Sequence, residues 1–461
     1  MSTRQTTPAF GRRSIVVTPS ELPRVAFSPP IAVSTPSTGD WVRSNLTDLR
    51  LLCLNVIDPA VVSALSPDKL LGEMEKLVSV TASEKRIQVN GREQKQLAID
   101  LVNDMLGLGP LQVFLDDDAV TDIMVNGPDR IFIEVGGKTI WSPVHFRDTA
   151  HLATICQRIV SAVGRRVDEA SPIADARLPD GSRINVVFPP LALDGPYLSI
   201  RKFSKHPINF DKLVEYGSCT RPLAKILELA GRARLNVLIS GGTGSGKTTL
   251  MNAISRTIDP AERIVTIEDA AELQLQQPHV VRLETRPPSL EGRGEVTQRD
   301  LVRNALRMRP DRVIIGEVRG SEAFDMLQAM NTGHDGSMST IHANNTRDAL
   351  TRIENMVQMG SFGLPVRSIR TQIASAIDMI VQVSRQRDGR RRVLQVTDVG
   401  GLEGDIIVLN DVFRYEMREI SNEGAVEGNY IVSRARPSFH ERLRYFGVVD
   451  EWNAVLNEQD I

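Results

Sequence analysis

Residues 241–249 read Gly-Gly-Thr-Gly-Ser-Gly-Lys-Thr-Thr. The run satisfies the spacing G-x-x-x-x-G-K-[ST], in which backbone N–H groups grip a chain of phosphates. Gly241, Gly242, Gly244 and Gly246 bare the backbone, with Thr243 and Ser245 between them, so the loop can curl closely around an anion. Lys247 supplies a point charge for the β- and γ-phosphates. Thr248 offers a hydroxyl to Mg²⁺, and Thr249 closes the run. Before the loop, residues 235–240 form a short apolar run that reads as a buried parallel strand; after it, residues 247–258 have helix-forming composition. A strand, a glycine loop and a helix N-terminus make an anion site.

Two further strand-like runs end in acids. Ile264-Val265-Thr266-Ile267 leads to Glu268 and Asp269, with Glu272 close behind; Arg312-Val313-Ile314-Ile315 leads to Gly316 and Glu317. In an open α/β sheet, ligands sit at the carboxyl ends of strands, so both acidic ends are expected to face the loop. One carboxylate there can hold Mg²⁺ through water, and another can orient or deprotonate the attacking water. Glu317 is assigned the water and Glu268 its support; Thr248, Glu268 and Glu317 are the candidate metal ligands. His334 and His342 flank a third strand, where a neutral imidazole can donate to a γ-phosphate oxygen. Neither has a Cys or a third His near enough in sequence for a zinc site. Arg177, Arg183 and Arg201 lie at turns or strand ends upstream, and phosphoryl transfer gains from an arginine placed on the transferring phosphate. Most surface arginines have no such task. Arg299, Arg303 and Arg307 form an i, i+4, i+8 stripe that reads as a solvated face before a subunit contact.

These residues need a scaffold. Residues 1–40, rich in Ser, Thr and Pro, read as a disordered tail. Residues 41–107 read as a small helical bundle: Ser66 precedes Pro67 as an N-cap, and Leu97, Ala98, Leu101, Val102, Met105 and Leu106 recur with a helical period. Residues 108–207 mix strand runs at 122–127, 130–135, 183–188 and 197–202 with a helix at 151–163, an α+β domain. Residues 208–461 alternate strands and helices, which predicts a mostly parallel sheet covered on both faces. Helices are expected at 298–308, 321–330 and 346–359, and a hairpin around Asp388-Gly389.

Composition narrows the function classes. The chain has 461 residues, 41% of them apolar, which allows large cores. Its net charge of −2 gives no support to a dedicated nucleic-acid binder. Cys53, Cys156 and Cys219 are too scattered for a zinc ribbon or a disulfide framework. No apolar run approaches the roughly 20 residues that span a bilayer, and residues 1–13 lack the apolar stretch of a secretory signal. The expectation is a cytoplasmic protein that reaches a membrane only through partners.

The motif order resembles the type II/type IV secretion ATPase superfamily. The marks are GGTGSGKTT (241–249), the "Asp box" TIEDAAEL (266–273), the atypical Walker B run RVIIGEVRG (312–320) and the "His box" TGHDGSMSTIHANN (332–345). Upstream, GLGPLQVFLDDDAVTDIMVNGPDRIFIE (107–134), ADARLPDGSRINVV (174–187) and LSIRKF (198–203) resemble the N-terminal domain of the same family. Within it, RNALRMRPDRVIIGEVRG (303–320), the helical extension and RPSFHERLRYFGV (436–448) look most like the ATPases of Tad (Flp) pilus assembly. The tetracysteine zinc module of the general secretion-pathway ATPases is absent.

The resemblance implies a RecA-like P-loop domain behind a PAS-like α+β domain, assembled as a homohexamer. ATP with Mg²⁺ would lie between the two domains. It also implies an inner-membrane platform protein as partner and pilin movement as the work. By motif, Lys247 and Thr248 bind phosphate and Mg²⁺, Glu317 and Glu268 serve hydrolysis, His334 and His342 sense the γ-phosphate or link domains, and Arg177, Arg183 and Arg201 clamp phosphates. Rival readings are a conjugative type IV secretion ATPase, a DNA-translocating motor and a nucleotide-gated scaffold without turnover.

Overall fold

A computed structural model describes residues 46–457 except 47, 55, 58–64, 204–207, 287, 289–292, 361–362 and 421–425. The tail expected at 1–40 lies outside the described residues. The chain divides into two compact units, residues 1–102 and 103–461.

In the first unit, α1 (Pro67–Lys85) starts with proline in its first turn, where a missing N–H costs nothing. Ser66 stands at the N-cap with extended backbone, but its side chain makes no cap hydrogen bond. Leu70, Met74, Val78 and Ala82 repeat every fourth residue and are buried. Helix α2 (Gly91–Met105) opens with reciprocal bonds between Asn90 and Glu93, at 2.8 and 2.9 Å. It buries Leu97, Ala98 and Leu101; Leu106, expected on the same apolar stripe, is exposed.

The second unit holds two sheets. The first is antiparallel, in the order β3-β2-β1-β6-β5-β4, built from β1 (Val120–Asn126), β2 (Ile131–Val135), β3 (Lys138–Ser142), β4 (Ile173–Arg177), β5 (Arg183–Val187) and β6 (Tyr197–Arg201). Alternate residues Ile123, Val125, Ile184, Val186, Leu198 and Ile200 point inward with Leu152, Ile155 and Ile159 of α3 (Thr149–Ala162). Asp148 caps that helix, accepting from the His151 N–H at 2.6 Å.

The second sheet has nine strands in the order β15-β14-β13-β12-β7-β11-β10-β8-β9. Six run parallel: β12 (Met379–Arg385), β7 (Val237–Gly241), β11 (Met338–Ile341), β10 (Arg312–Val318), β8 (Ile264–Glu268) and β9 (Val280–Glu284). The central strands β7, β8 and β10 carry apolar runs because both faces are covered, while β9 at the edge carries Arg282 and Glu284. Val237, Ile239, Ile264 and Ile314 belong to one core, with Leu250, Met251 and Ile254 of α4 (Lys247–Ser255). Leu238, Val265, Ile267, Val313 and Ile315 belong to the other, with helices α5 (Glu322–Asn331), α6 (Thr346–Met359) and α7 (Val366–Ala376).

The hairpin expected around residues 388–389 grows into an antiparallel extension, β13 (Arg391–Glu403), β14 (Ile406–Ile420) and β15 (Val426–Val432). Two other expectations need adjusting. The P-loop helix ends at Ser255, and the helix capped by Thr297 ends at Ala305, three residues short of the forecast. Arg299 pairs with Asp325 at 2.8 Å, so that member of the arginine stripe is an internal tie. The three cysteines are free and buried.

At the amino end of β10, Arg312 is 1% exposed. Glu262 takes its guanidinium in two bonds of 2.6 and 2.8 Å, and the Gly231 carbonyl accepts at 2.9 Å. Removing one partner of a buried pair strands the other charge. Glu262→Ala is expected to destabilise the fold by about 3–5 kcal/mol in a denaturant titration, while the exposed Arg130–Asp194 pair contributes about 0–1 kcal/mol.

Candidate functional site

The glycine loop leaves β7 at Gly241 and enters α4 at Lys247. A Cβ on Gly241 would run into the Val383 carbonyl of β12 and lie 2.6 Å from Ser245 Oγ, so only glycine fits. Gly244 and Gly246 have φ of 67° and 99°, the left-handed region that side chains avoid. Ser245 closes the loop by donating to the Gly242 carbonyl at 2.8 Å. At its foot, Lys247 is 8% exposed and donates to the carbonyls of Gly241 and Gly242, each at 3.0 Å. Burial draws the Lys247 pKa down from its usual value, and the charge of Glu317 opposes that.

The acids stand where the strand ends put them. Gly316 separates them sterically, since a Cβ there would come 2.9 Å from Glu268 Cγ. Glu268 is 3% exposed; its Oε2 accepts from the N–H groups of Glu272 and Leu273 at 2.7 and 3.0 Å, and its Oε1 is buried without a hydrogen-bond partner. Burial pushes its pKa up to about 7, although the two N–H groups favour the ionised form. Glu317 is held differently. Arg319 donates twice to its Oε2, at 2.6 and 3.0 Å, and His342 Nε2 lies 2.6 Å from Oε1. The same nitrogen is 3.4 Å from Lys247 Nζ. Burial, followed by the Lys247 charge, keeps the His342 pKa below its ordinary value. A neutral ring carries one role per nitrogen, so Nε2 donates to Glu317 or accepts from Lys247, not both.

These groups line a cleft of about 790 Å³ with Thr243, Thr248, Thr249, Glu272, Thr340, Arg183 and Arg201. The upstream arginines form one cross-strand row, with Arg177 opposite Arg183, Arg183 opposite Arg201, and Arg201 opposite Asp122. Like charges in such a row repel, and each has an acid nearby. Arg183 pairs with Glu272 at 2.5 Å, Arg201 with Asp122 at 3.1 Å, and Arg177 with Glu284 at 3.0 Å. Arg183 and Arg201 reach the cleft; Arg177 instead lines a second cavity of about 950 Å³ and donates to the Ala271 carbonyl. His334 is not brought to the cleft. It precedes β11, at the amino end of that strand and away from the loop, with Nδ1 3.2 Å from the Ala329 carbonyl. Chain order already puts His334 before the strand, at the end opposite the one where ligands sit; only His342 follows it.

Sequence reasoning missed Arg319 and Arg391. The run Arg390-Arg391-Arg392 after the Asp388-Gly389 turn was the available signal, three cations beside a tight reversal.

The donor set fits a phosphate chain with Mg²⁺: bare loop backbone, the buried Lys247, the Thr248 hydroxyl and the orphaned carboxylate oxygen of Glu268. Among the described residues no three of His, Cys, Asp and Glu converge as a metal cage. That suits a cation held mainly by phosphate oxygens.

A parallel sheet whose glycine loop opens a helix beside two carboxylate-tipped strands defines a P-loop nucleotide-binding protein. The family model described as "Type II/IV secretion system protein" matches residues 104–426, and the chain belongs to this family. A Mycobacterium tuberculosis protein named for conjugal transfer is 38% identical over 73% of this chain and 96% of its own length. The type IV secretion system protein PtlH of Bordetella pertussis is 35% identical over 64% of the chain and 95% of its own length. Among solved structures, the VirB11 ATPase of the Brucella suis type IV secretion system, in complex with sulphate, is 30% identical, with 63% of this chain and 95% of that one covered and a TM-score of 0.34.

The raised Glu268 pKa has a stability consequence. A carboxyl that titrates near 7 when folded and near 4.5 when unfolded favours the fold in its protonated form. That contribution is full below pH 4.5 and is lost as pH rises through 7. Thermal melts without nucleotide should show Glu268→Gln gaining on the wild type between about pH 4.5 and 7; a difference independent of pH would refute the shifted carboxyl.

Proposed function

We propose that the chain is an ATP-hydrolysing motor of a pilus or secretion machine, working as a homohexamer. The observation that carries this is the single cleft in which the glycine loop, Lys247, Glu268, Glu317 and the arginines of the preceding sheet meet. Loop N–H groups and Lys247 hold the triphosphate; Thr248 and Glu317 would hold Mg²⁺, which would supply neutralising charge beside the phosphates. Arg183 and Arg201 are the better placed of the three expected clamps; Arg177 fits a contact between sheets or subunits. His334 fits a link within the fold rather than a phosphate sensor, and His342 fits the sensor.

Beside the expected assignment of the water to Glu317, a second division of labour draws support: Glu317, held through Oε2 by Arg319, orients the water, and Glu268, its pKa pushed up to about 7 by burial, accepts the proton. Closure of the six-stranded sheet on the loop and its release after hydrolysis is a hinge motion that passes work outward.

Two machines suit the motor. Motifs 303–320 and 436–448 and the helical segment preceding the matched region favour Tad/Flp-type pilus assembly, with an inner-membrane platform protein as partner. The names of the relatives favour conjugative type IV secretion about as well. A peripheral cytoplasmic place at the inner membrane is consistent with either; among the described residues no single helix is long and apolar enough to cross a bilayer. A DNA-translocating motor draws no support from a net charge of −2.

With Mg²⁺-ATP, Lys247→Ala should lose nucleotide binding. Glu317→Gln should keep binding, with kcat reduced about 10²- to 10⁴-fold in a phosphate-release assay. A wild-type rate in Glu317→Gln would remove Glu317 from the reaction. Deleting the gene should abolish surface pili on the first reading and leave them intact, with conjugal or effector transfer lost, on the second.

A further inference from the structure

The hairpin between β12 and β13 reaches both the glycine loop and the six-stranded sheet. Arg391, its first β13 residue, donates from Nε to the Gly244 carbonyl at 2.9 Å. Its Nη2 lies 3.7 Å from Glu134 Oε1 on β2. Its stem runs along Gly246, where a Cβ would sit 3.5 Å from Arg391 Cδ, and its tip along Gly137 in the β2–β3 turn. Arg385, on the other arm, donates to the Gly137 carbonyl. The guanidinium thus touches loop and sheet at once.

The mount is stiff. Asp388 and Arg392 pair at 3.0 Å, both 7% exposed, and Arg392 also donates to the Val426 carbonyl at 3.0 Å. The turn closes on bonds between Gln386 and Arg390 and between Gly389 and Gln386, at 2.8 and 3.0 Å. Arg391 therefore projects from fixed backbone, and little conformational entropy is lost in aiming it.

We infer that Arg391 is a positioning residue, holding the Gly244 peptide in the orientation that grips phosphate and linking that peptide through Glu134 to the six-stranded sheet. The N–H of that peptide belongs to Ser245 and rests 3.4 Å from the Gly242 carbonyl; a carbonyl fixed by a cation limits how that N–H can turn when an anion enters the loop. Glu134 lies in cross-strand register with Asp122, the partner of Arg201. The hairpin arginine and the cleft arginine are so anchored to neighbouring acids of one sheet. Movement of that sheet pulls on the phosphate loop, and a filled loop fixes the sheet.

This rests on the nucleotide reading of the loop, and the experiment separates the two. Affinity for the β,γ-imido analogue of ATP with Mg²⁺ is measured by calorimetry for the full-length wild type, Arg391→Ala, Glu134→Gln and the double variant, each checked by thermal melt, with steady-state kcat and KM alongside. Failure of the wild type to bind would end the nucleotide reading itself. With binding present, Arg391→Ala should weaken it about tenfold, or about 1.4 kcal/mol, and raise KM with kcat within about twofold. Glu134→Gln should weaken it about threefold, and the double variant should match Arg391→Ala, because the acid acts through the arginine. Wild-type affinity in Arg391→Ala, single effects that multiply in the double variant, or a binding loss matched by a lowered melting temperature would each overturn the assignment.

Discussion

A lysine ammonium buried at the root of a glycine loop has to be surrounded by oxygen, and much of the site follows from how Lys247 meets that demand. With 8% of the residue exposed, burial works against its charge. The carbonyls of Gly241 and Gly242 answer it directly, and Glu317 answers it through the field and through His342. Glu317 in turn needs Arg319, because one buried cation at a distance does not offset a carboxylate in a closed cleft. Lys247, His342, Glu317 and Arg319, drawn from the ends of β7, β11 and β10, form one line of contacts in which His342 Nε2 serves either the lysine or Glu317. A phosphate chain entering it would meet the lysine and the imidazole together, so what occupies Lys247 also bears on the surroundings of Glu317.

Glu268 is excluded from that chain, and this gives it separate chemistry. Its nearest charges are weaker than its burial, and its hydrogen bonds come from backbone on one oxygen only. The two carboxylates, on either side of the bare Gly316 backbone, therefore stand among different partners. The same residue pattern, strand and then acid, reads identically in the sequence at 268 and at 317; only the partners distinguish them.

What the sequence exposed and what it hid divides along physical lines. Short apolar runs such as 237–239 and 313–315, followed by a glycine loop or an acid, fit buried parallel strands, so β7 and β10 were legible, and the glycine loop with them. The arginines were legible as strand-end residues, but the cross-strand register that lines up Arg177, Arg183 and Arg201 is a property of pairing. His334 shows the limit. Grouping it with His342 as one box overlooked chain direction, which places His334 before β11 and away from the loop. The antiparallel extension was read only as a hairpin because bulges at Val396/Thr397 and Val399/Leu402 break the alternation that marks a long strand.

The extension also determines the loop. Strand β12 lies beside β7 with Val383 opposite Gly241, so the carbonyl that forbids a side chain at the first loop glycine belongs to the strand that begins the hairpin. A larger residue at 241 would displace β12, and with it the turn carrying Asp388 and Arg392. A shift of β12 by one register would remove the block at 241 and also carry the Arg391 end of the hairpin away from Gly244. The glycine requirement, the parallel pairing of β7 with β12 and the reach of the hairpin are therefore consequences of one register. In that sense the phosphate loop is shaped from outside its own motif, by residues about 140 positions further along the chain whose sequence carries no phosphate-binding signature.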